Sequence, residues 1–249
     1  MPTNITSEHF EITDIRERLR VTDEPVMEVL LQSKRIQHPK PIICSLYPRG
    51  GNSTGYTREI SPQIGCHIGC GFCRCGNFKG DLNPAEVSDQ VRILTEVAIE
   101  RKIPAEGPYK TSFTDGGEIL LNPNCMDILE SVQSDPTTES IRVSTVLPNT
   151  PKAKNRLAAI LNKIQTHAAN IALQISMSST SERIRQSLSR IPLFPDEEIR
   201  DIGELYKSCR KRRKKNHARF YINGRVSLCT GRNKRRPHPR TFRNKTSSL

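Results

Sequence analysis

The chain has 249 residues, which is long enough to bury a sizeable core and suits one large domain or one domain with appendages. It carries 39 Lys and Arg against 26 Asp and Glu, a formal charge of +13. It offers no run of about 18 consecutive apolar residues, and its first twenty residues mix charges throughout. We therefore expect a cytoplasmic protein with neither a signal peptide nor a membrane partner.

The positive charge is concentrated at one end of the chain. Residues 208–249 contain 15 of the 39 Lys and Arg residues and no Asp or Glu, which leaves 24 basic against 26 acidic residues in the rest. One interpretation is a basic extension that binds RNA phosphates without reading sequence. The other is a slip of the reading frame near residue 207, which would leave a truncated domain and a disordered tail. Composition leaves both open.

Residues 1–56 are predicted to form an N-terminal extension, and the sequence indicates no function for it. A short periodic patch covers 25–36, and the stretch at 39–55, rich in Pro, Gly and Ser, predicts loop or edge structure.

From residue 57 onward, short β-branched runs alternate with helical patterns, which is typical of βαβ units and a parallel sheet. The predicted strands are 57–61, 110–114, 141–145 and 171–176, with 218–222 as a further candidate. The first helix begins after Asn83, which can cap it, while Pro84 suits its first position and Glu86 can close a capping box. The segment before this helix therefore lies at a strand's carboxyl end, where α/β proteins bind ligands.

That segment, GCHIGCGFCRCG, holds four of the eight cysteines. In a reducing compartment, clustered cysteines favour metal binding or chemistry over disulfides. Structural zinc sites usually pair two knuckles, and no second knuckle follows here, although zinc could recruit His67 or Cys75. Zinc is therefore the weaker alternative.

Cys66, Cys70 and Cys73 have the spacing C-x3-C-x2-C. Three thiolates on one short loop can hold three irons of a cubane cluster and leave the fourth iron open to a ligand. Cys75 lies outside this motif, and we interpret it as a structural thiol.

This spacing, with the aromatic Phe72 directly before the third cysteine, resembles the radical S-adenosylmethionine (SAM) superfamily. The resemblance implies a [4Fe–4S] cluster that chelates SAM and, on electron transfer, cleaves it to a 5′-deoxyadenosyl radical. It further implies an electron donor such as a flavodoxin or ferredoxin. The implied fold is a partial, open (β/α) barrel over residues 57–207, with the cluster at the carboxyl ends of the strands.

Three further stretches supply other parts of a SAM site in the order that the family uses them. They are DGGEILLNP after the second predicted strand, RVST at the third and ISMSS after the fourth. Hydroxyls at strand ends also commonly cap the next helix. With the cluster ligands above, the resemblance implies SAM contacts at Phe72, Gly116, Gly117, Glu118, Ser144, Ser176, Met177 and Ser178.

The combined pattern, over about residues 60–199, resembles the enzymes that methylate carbon 2 or carbon 8 of an adenine in 23S ribosomal RNA. This implies a methyltransferase that modifies RNA. The chain departs from that branch at Ile119, where the branch has Pro, and at Ser178, where it has His. That branch also has a methyl-accepting cysteine near its C-terminus. Cys229 is the candidate here, but the residues around it do not match those of the branch. We therefore assign no catalytic residue.

Two other functions stay open from the sequence. One is a non-catalytic Fe–S or zinc protein that binds nucleic acid through its basic tail. The other is a radical SAM enzyme with a substrate other than RNA. Formation of 5′-deoxyadenosine under reduction separates the first of these from an enzyme.

Overall fold

The computed structural model describes residues 4–19, 25–49, 55–103, 108–166, 170–211, 219–222 and 225–228. Its N-terminal part forms four consecutive antiparallel strands: β1 (Phe10–Leu19), β2 (Pro25–Ser33), β3 (Ile42–Pro48) and β4 (Tyr56–Ile60). The N-terminal residues are thus continuous with the main sheet.

The loop or edge structure predicted for 39–55 is wrong at Ile42–Pro48, because β3 lies in the sheet interior between β2 and β4. Alternate residues of β3, Cys44 and Leu46, are almost fully buried. The Pro and Gly residues that suggested a loop flank this short strand, so they mark its ends.

The rest of the described chain alternates strands and helices, as predicted. It comprises β5 (Gln63–Ile64), β6 (Gly80–Asp81), α1 (Pro84–Glu100), β7 (Tyr109–Phe113), a 3-10 turn (Ile119–Leu121), α2 (Cys125–Ser134), β8 (Thr138–Thr145), α3 (Pro151–Gln165), β9 (Ile171–Ile175), α4 (Glu182–Ser187), α5 (Asp196–Lys211), β10 (Arg219–Ile222) and β11 (Arg225–Leu228). All five strands predicted from the sequence are confirmed, with bounds that differ by at most three residues.

The main sheet has the order β1-β2-β3-β4-β7-β8-β9. The pairs from β1 to β4 are antiparallel, and those from β4 to β9 are parallel. The mixed α/β class with a parallel portion is therefore confirmed. β4 is the point at which the direction of pairing changes, and the cysteine segment leaves from its carboxyl end.

The start of α1 fixes the far end of that cysteine segment. The Asn83 side chain accepts a hydrogen bond from the Glu86 amide at 2.9 Å, and the Glu86 carboxylate accepts one from the Asn83 amide at 2.8 Å. This confirms the predicted capping box, with Pro84 in the first turn. The box satisfies amides that a helix N-terminus leaves without partners.

The two faces of the sheet differ in chemistry. One face packs against the helices and carries apolar rows such as Ile60, Phe113 and Val143, which are paired across β4, β7 and β8. On the opposite face, which we call the polar face, one row of paired residues crosses six strands. Its members are Arg16, Glu28, Ser45, Glu59, Ser112 and Arg142. A sheet face this polar suits ligand binding better than a second helical layer.

The predicted basic tail falls largely outside the described residues. Within 208–249 the structure describes the end of α5 and the antiparallel pair β10 and β11. The two interpretations of this tail therefore stay predictions. Among the described residues, no helix has both the length and the apolar character needed to cross a bilayer.

Candidate functional site

A cavity of about 430 Å³ opens where the parallel strands end, on the side reached by the cysteine segment. This volume lies within the range of about 300–1,000 Å³ that is common for ligand sites. All the sequence-predicted site residues line it: Cys66, Cys70, Phe72, Cys73, Gly116, Gly117, Glu118, Ser144, Ser176, Met177 and Ser178. Since they come from four separate segments, the fold brings together what the sequence spaces over more than a hundred residues.

The cysteine loop is closed at its base by backbone contacts. Gly65 has φ +70°, and a Cβ there would lie 2.0 Å from the carbonyl oxygen of Asn77. The Cys66 amide donates to the carbonyl of Gly76 at 3.2 Å, and this hydrogen bond joins the two ends of the loop. Only glycine allows the two ends to approach this closely.

The segment after α4 holds the other side of the loop. The Arg190 amide donates to the Ile68 carbonyl at 2.9 Å, and the Gly71 amide donates to the Leu188 carbonyl at 3.1 Å. The loop is therefore held from both sides by backbone hydrogen bonds.

The thiols in the loop differ in acidity. Burial raises the pKa of Cys66 to about 12 and also raises the pKa of Cys70. The sulfurs of Cys73 and Cys75 lie 3.2 Å apart, and the hydrogen bond between them lowers the pKa of Cys73 to about 6. Cys73 is thus a thiolate at neutral pH, whereas the other two motif thiols would lose their protons on binding a metal.

The Gly116-Gly117-Glu118 turn lies against the base of the loop. Gly117 has φ +76°, and a Cβ there would lie 2.6 Å from the Cβ of Gln63. The Glu118 amide donates to Gln63 Oε1 at 2.8 Å, and Gln63 Nε2 donates to Asp81 Oδ1 at 2.7 Å. Gln63 therefore links this turn to the β5–β6 hairpin that closes the cysteine loop.

Glu118 is a buried carboxyl group in the cavity wall, with only 3% of its surface exposed. It accepts hydrogen bonds from the Val146 amide at 3.0 Å and the Leu120 amide at 3.2 Å. Burial raises its pKa to about 7, although the hydrogen bonds act in the opposite direction. A bound cation would favour the ionised form, so this position suits an ammonium or sulfonium group.

The serines at the ends of β8 and β9 contribute hydroxyls to the cavity. Within the described part of the chain, the buried Ser144 Oγ has no hydrogen-bond partner. Buried polar atoms almost always have one, so an unpaired hydroxyl in a cavity wall indicates a site for a polar ligand. Ser176 and Ser178 are exposed at the cavity mouth, with Met177 half-buried between them.

Two ionisable residues that the sequence did not single out also line the cavity. Asp115 directly precedes the glycine pair and accepts a hydrogen bond from Ser45 Oγ at 2.9 Å. Arg185 is 2% exposed and forms an ion pair with Asp196 at 2.5 Å. Asp115 could have been found from its place beside the glycines. Arg185 could not, because its burial depends on how α4 packs.

The donor set fits a cluster ligated by cysteines. Three thiols of one loop face a cavity that also holds a buried carboxyl group and an unpaired hydroxyl. His67 stacks on Phe78, with ring centroids 3.5 Å apart, and is not among the residues that line the cavity. Across the described residues, no three His, Cys, Asp or Glu side chains are grouped to hold a single metal ion. A cubane cluster does not require its cysteines to converge on one ion, because each cysteine binds a different iron atom.

The geometry thus defines a mixed α/β protein with a cysteine-lined ligand cavity at the ends of its parallel strands. No family model matches the chain. It is 33% identical, over 161 residues, to a probable dual-specificity RNA methyltransferase RlmN of Prochlorococcus marinus (strain NATL1A), covering 61% of this chain and 40% of that protein. It is 28% identical over 142 residues to the RlmN of Campylobacter hominis, covering 55% and 37%.

A probable RlmN of Desulfitobacterium hafniense (strain Y51) is 26% identical over 172 residues, covering 67% of this chain and 46% of that protein. The chain therefore spans less than half the length of these curated relatives. Their shared name agrees with the branch that the sequence pattern resembles. The likeness is distant and covers only part of each relative.

Proposed function

We propose that this chain carries the cluster-binding and SAM-binding part of a radical SAM enzyme that methylates an adenine in RNA. The observation that carries the proposal is the convergence of Cys66, Cys70 and Cys73 with Glu118 and the unpaired Ser144 hydroxyl in one cavity. In this proposal the parallel strands β4, β7, β8 and β9 are part of an open (β/α) barrel of the radical SAM type.

Each part of the cavity has a chemical task in this proposal. Cys66, Cys70 and Cys73 would hold a [4Fe–4S] cluster, which when bound supplies the electron that cleaves SAM. Glu118 would bind the SAM amino group with its carboxylate, and its burial strengthens that contact by excluding water. Ser144 would donate to the SAM carboxylate or ribose.

The exposed Phe72 and the half-buried Met177 border the same cavity and offer apolar surface. An aromatic ring and a thioether suit contact with the adenine ring of SAM. The cavity thus presents charged, hydroxyl and apolar groups in the combination that SAM requires.

The methyl-transfer part of the proposal rests on the relatives' names and on the sequence pattern. Cys229, the late cysteine considered as a methyl acceptor, lies outside the described residues. A radical SAM enzyme that acts on another substrate is the alternative with the same cavity. A non-catalytic Fe–S or zinc protein is the alternative without SAM cleavage.

Anaerobic reconstitution with iron and sulfide tests the cluster. We expect roughly four irons per chain in the wild-type protein and loss of the brown chromophore in the Cys66→Ala, Cys70→Ala and Cys73→Ala variants. Cys125→Ala is the matched control, because this buried thiol packs in the core and does not line the cavity.

Addition of SAM and a reductant then tests the chemistry. The proposal predicts 5′-deoxyadenosine from the wild-type protein and none from the three cysteine variants. Full iron loading in Cys70→Ala, or stoichiometric zinc without iron after anaerobic purification, would contradict it. A loaded cluster with no SAM cleavage would favour the non-catalytic alternative.

A further inference from the structure

A second cavity, of about 610 Å³, lies on the polar face beside the N-terminal strands. Cys73, Cys75, Asp115 and Gly116 line both cavities, so the cysteine loop and the glycine turn form the partition between them. The sequence assigned no role to the N-terminal strands that supply much of the second cavity. A ligand in this cavity would lie directly beside the proposed reactive centre.

Among the described residues, three cationic side chains line this second cavity: Arg16, Lys40 and Arg74. Arg16 pairs with Glu28 at 2.8 Å, but Arg18 pairs with the same carboxylate oxygen at 3.0 Å, so one positive charge of the two stays unbalanced.

Lys40 Nζ donates to the backbone carbonyl of Arg74 at 3.3 Å. Within the part of the chain that the structure describes, neither Lys40 nor Arg74 forms an ion pair with a carboxylate. The cavity wall thus holds three cationic side chains against the single Cys73 thiolate near Lys40, so its concave surface keeps a positive potential, which attracts anions.

The carboxyl group in the wall does little to oppose this potential. Burial raises the pKa of Asp115 well above its usual range, and the nearby Glu59 raises it further. This shift favours the uncharged form of Asp115. Glu59 itself accepts a hydrogen bond from Tyr47 Oη at 2.6 Å, and neither residue of that pair lines the cavity.

The remaining wall is suited to an organic group. Leu30 and Ile43, paired across β2 and β3, provide apolar surface next to the cationic side chains. The volume is ample for one nucleotide. Apolar surface beside unpaired cations matches a base or sugar with an attached phosphate better than a bare inorganic ion.

We infer that this second cavity binds a phosphate-bearing ligand, either a free nucleotide or a nucleotide unit of an RNA strand, through Arg16, Lys40 and Arg74. The inference that the ligand belongs to an RNA strand rests on the function proposed above. The inference that the cavity binds a phosphate group does not. Binding here would place the ligand's base within reach of the partition that carries Cys73 and Gly116.

Calorimetric titration of the full chain with uridine 5′-monophosphate tests this inference. This nucleotide lacks the adenosyl group of SAM, so it does not report on the first cavity. We expect the double variant Lys40→Gln/Arg74→Gln to weaken its binding about tenfold, since it removes two cationic partners of the phosphate. The variant Leu30→Trp, which fills the cavity and keeps its charges, should weaken binding as well.

The matched control is Lys152→Gln/Arg200→Gln, which removes one lysine and one arginine from exposed positions on α3 and α5. This control should bind the nucleotide as the wild-type protein does. Uridine, without the phosphate, should bind far more weakly than the monophosphate. Equal binding of the two compounds, or equally weakened binding in the control and test variants, would overturn the inference.

A parallel titration with a short single-stranded oligoribonucleotide distinguishes the two sources of phosphate. Weaker binding of both ligands to the test variant identifies an RNA strand, and weaker binding of the monophosphate alone identifies a free nucleotide. Both outcomes support a phosphate site. The titrations need no SAM cleavage, so they succeed or fail independently of the proposed catalytic function.

Discussion

Glu118 shows how one residue's environment can matter more than its sequence motif. The motif predicted a negative charge, but the fold buries the carboxyl group and raises its pKa to about 7. Both protonation states of Glu118 are therefore accessible near neutral pH. This leaves the charge adjustable by the ligand.

We predict that this shift makes the stability of the protein depend on pH. The folded-state pKa of Glu118 lies above the usual value of 4.5, so between pH 4.5 and pH 7 the folded protein binds a proton that the unfolded chain has lost. The free energy of unfolding therefore falls as the pH rises through this range. The contribution amounts to about 3 kcal/mol of unfolding free energy. Urea unfolding at pH 5 and pH 8 should show a larger decrease in the wild-type protein than in Glu118→Gln.

Asp115 contributes a shift in the same direction, but it is present in both proteins and cancels in that comparison. An equal decrease in the two proteins would show that Glu118 is already ionised in the fold.

At the scale of single elements, Arg58 on β4 joins strands and helix at the end of the sheet away from the cavity. Its side chain is fully buried, and its guanidinium stacks on the Tyr109 ring at 4.4 Å. Four threonine hydroxyls lie within 3.1 Å of its terminal nitrogens: Thr95, Thr111, Thr137 and Thr138. Burial lowers the pKa of Arg58 to about 10, so it keeps its charge at neutral pH.

We predict that Arg58→Ala lowers the unfolding free energy by about 3 kcal/mol, because it leaves a cavity and removes the donors for buried hydroxyls. Arg58→Lys should recover little of this unfolding free energy, since one ammonium group cannot form hydrogen bonds with all four hydroxyls. Denaturant unfolding measures both. The control is Arg92→Ala on α1, whose ion pairs are partly exposed and whose removal should cost under about 1 kcal/mol. Similar costs for Arg58→Ala and Arg92→Ala would refute the role given to Arg58.

At the scale of the whole molecule, the positive charge divides into two parts with different expected effects. The second cavity offers a few cations on a shaped surface, whereas residues 208–249 offer 15 in a stretch without acids. A shaped site should discriminate between ligands, and a run of charge should bind any polyanion. The two contributions can therefore be separated by ligand size and by salt.

We predict that deleting residues 212–249 lowers RNA affinity and flattens its dependence on salt, while leaving the binding of uridine 5′-monophosphate unchanged. The slope of log affinity against log salt should decrease by about 0.7 for each RNA phosphate that the tail no longer neutralises. Fluorescence anisotropy over a range of salt concentrations measures this slope. An unchanged slope would favour the frame-slip interpretation, in which the tail contributes no specific function.

Most elements around the first cavity and the residues that line it could be predicted from local sequence patterns. The parallel strands β4, β7, β8 and β9, the capping box at Asn83 and the candidate ligands Cys66, Cys70 and Cys73 could all be predicted. These features are local, because capping and cysteine spacing depend on neighbours a few residues apart. Strand alternation is local as well, and the resemblance to RNA methyltransferases required nothing more.

The positions at which those residues meet, and the groups that surround them, depend on contacts made in the folded protein. The fold placed β3 inside the sheet, joined the N-terminal strands to the parallel core and set Arg16 and Lys40 beside the cysteine loop. It also buried Glu118 and Arg58. Pairing of distant strands and the burial of single side chains depend on contacts between residues far apart in the chain. Local patterns do not encode such contacts, because the same residue can be exposed or buried according to the strand that lies against it.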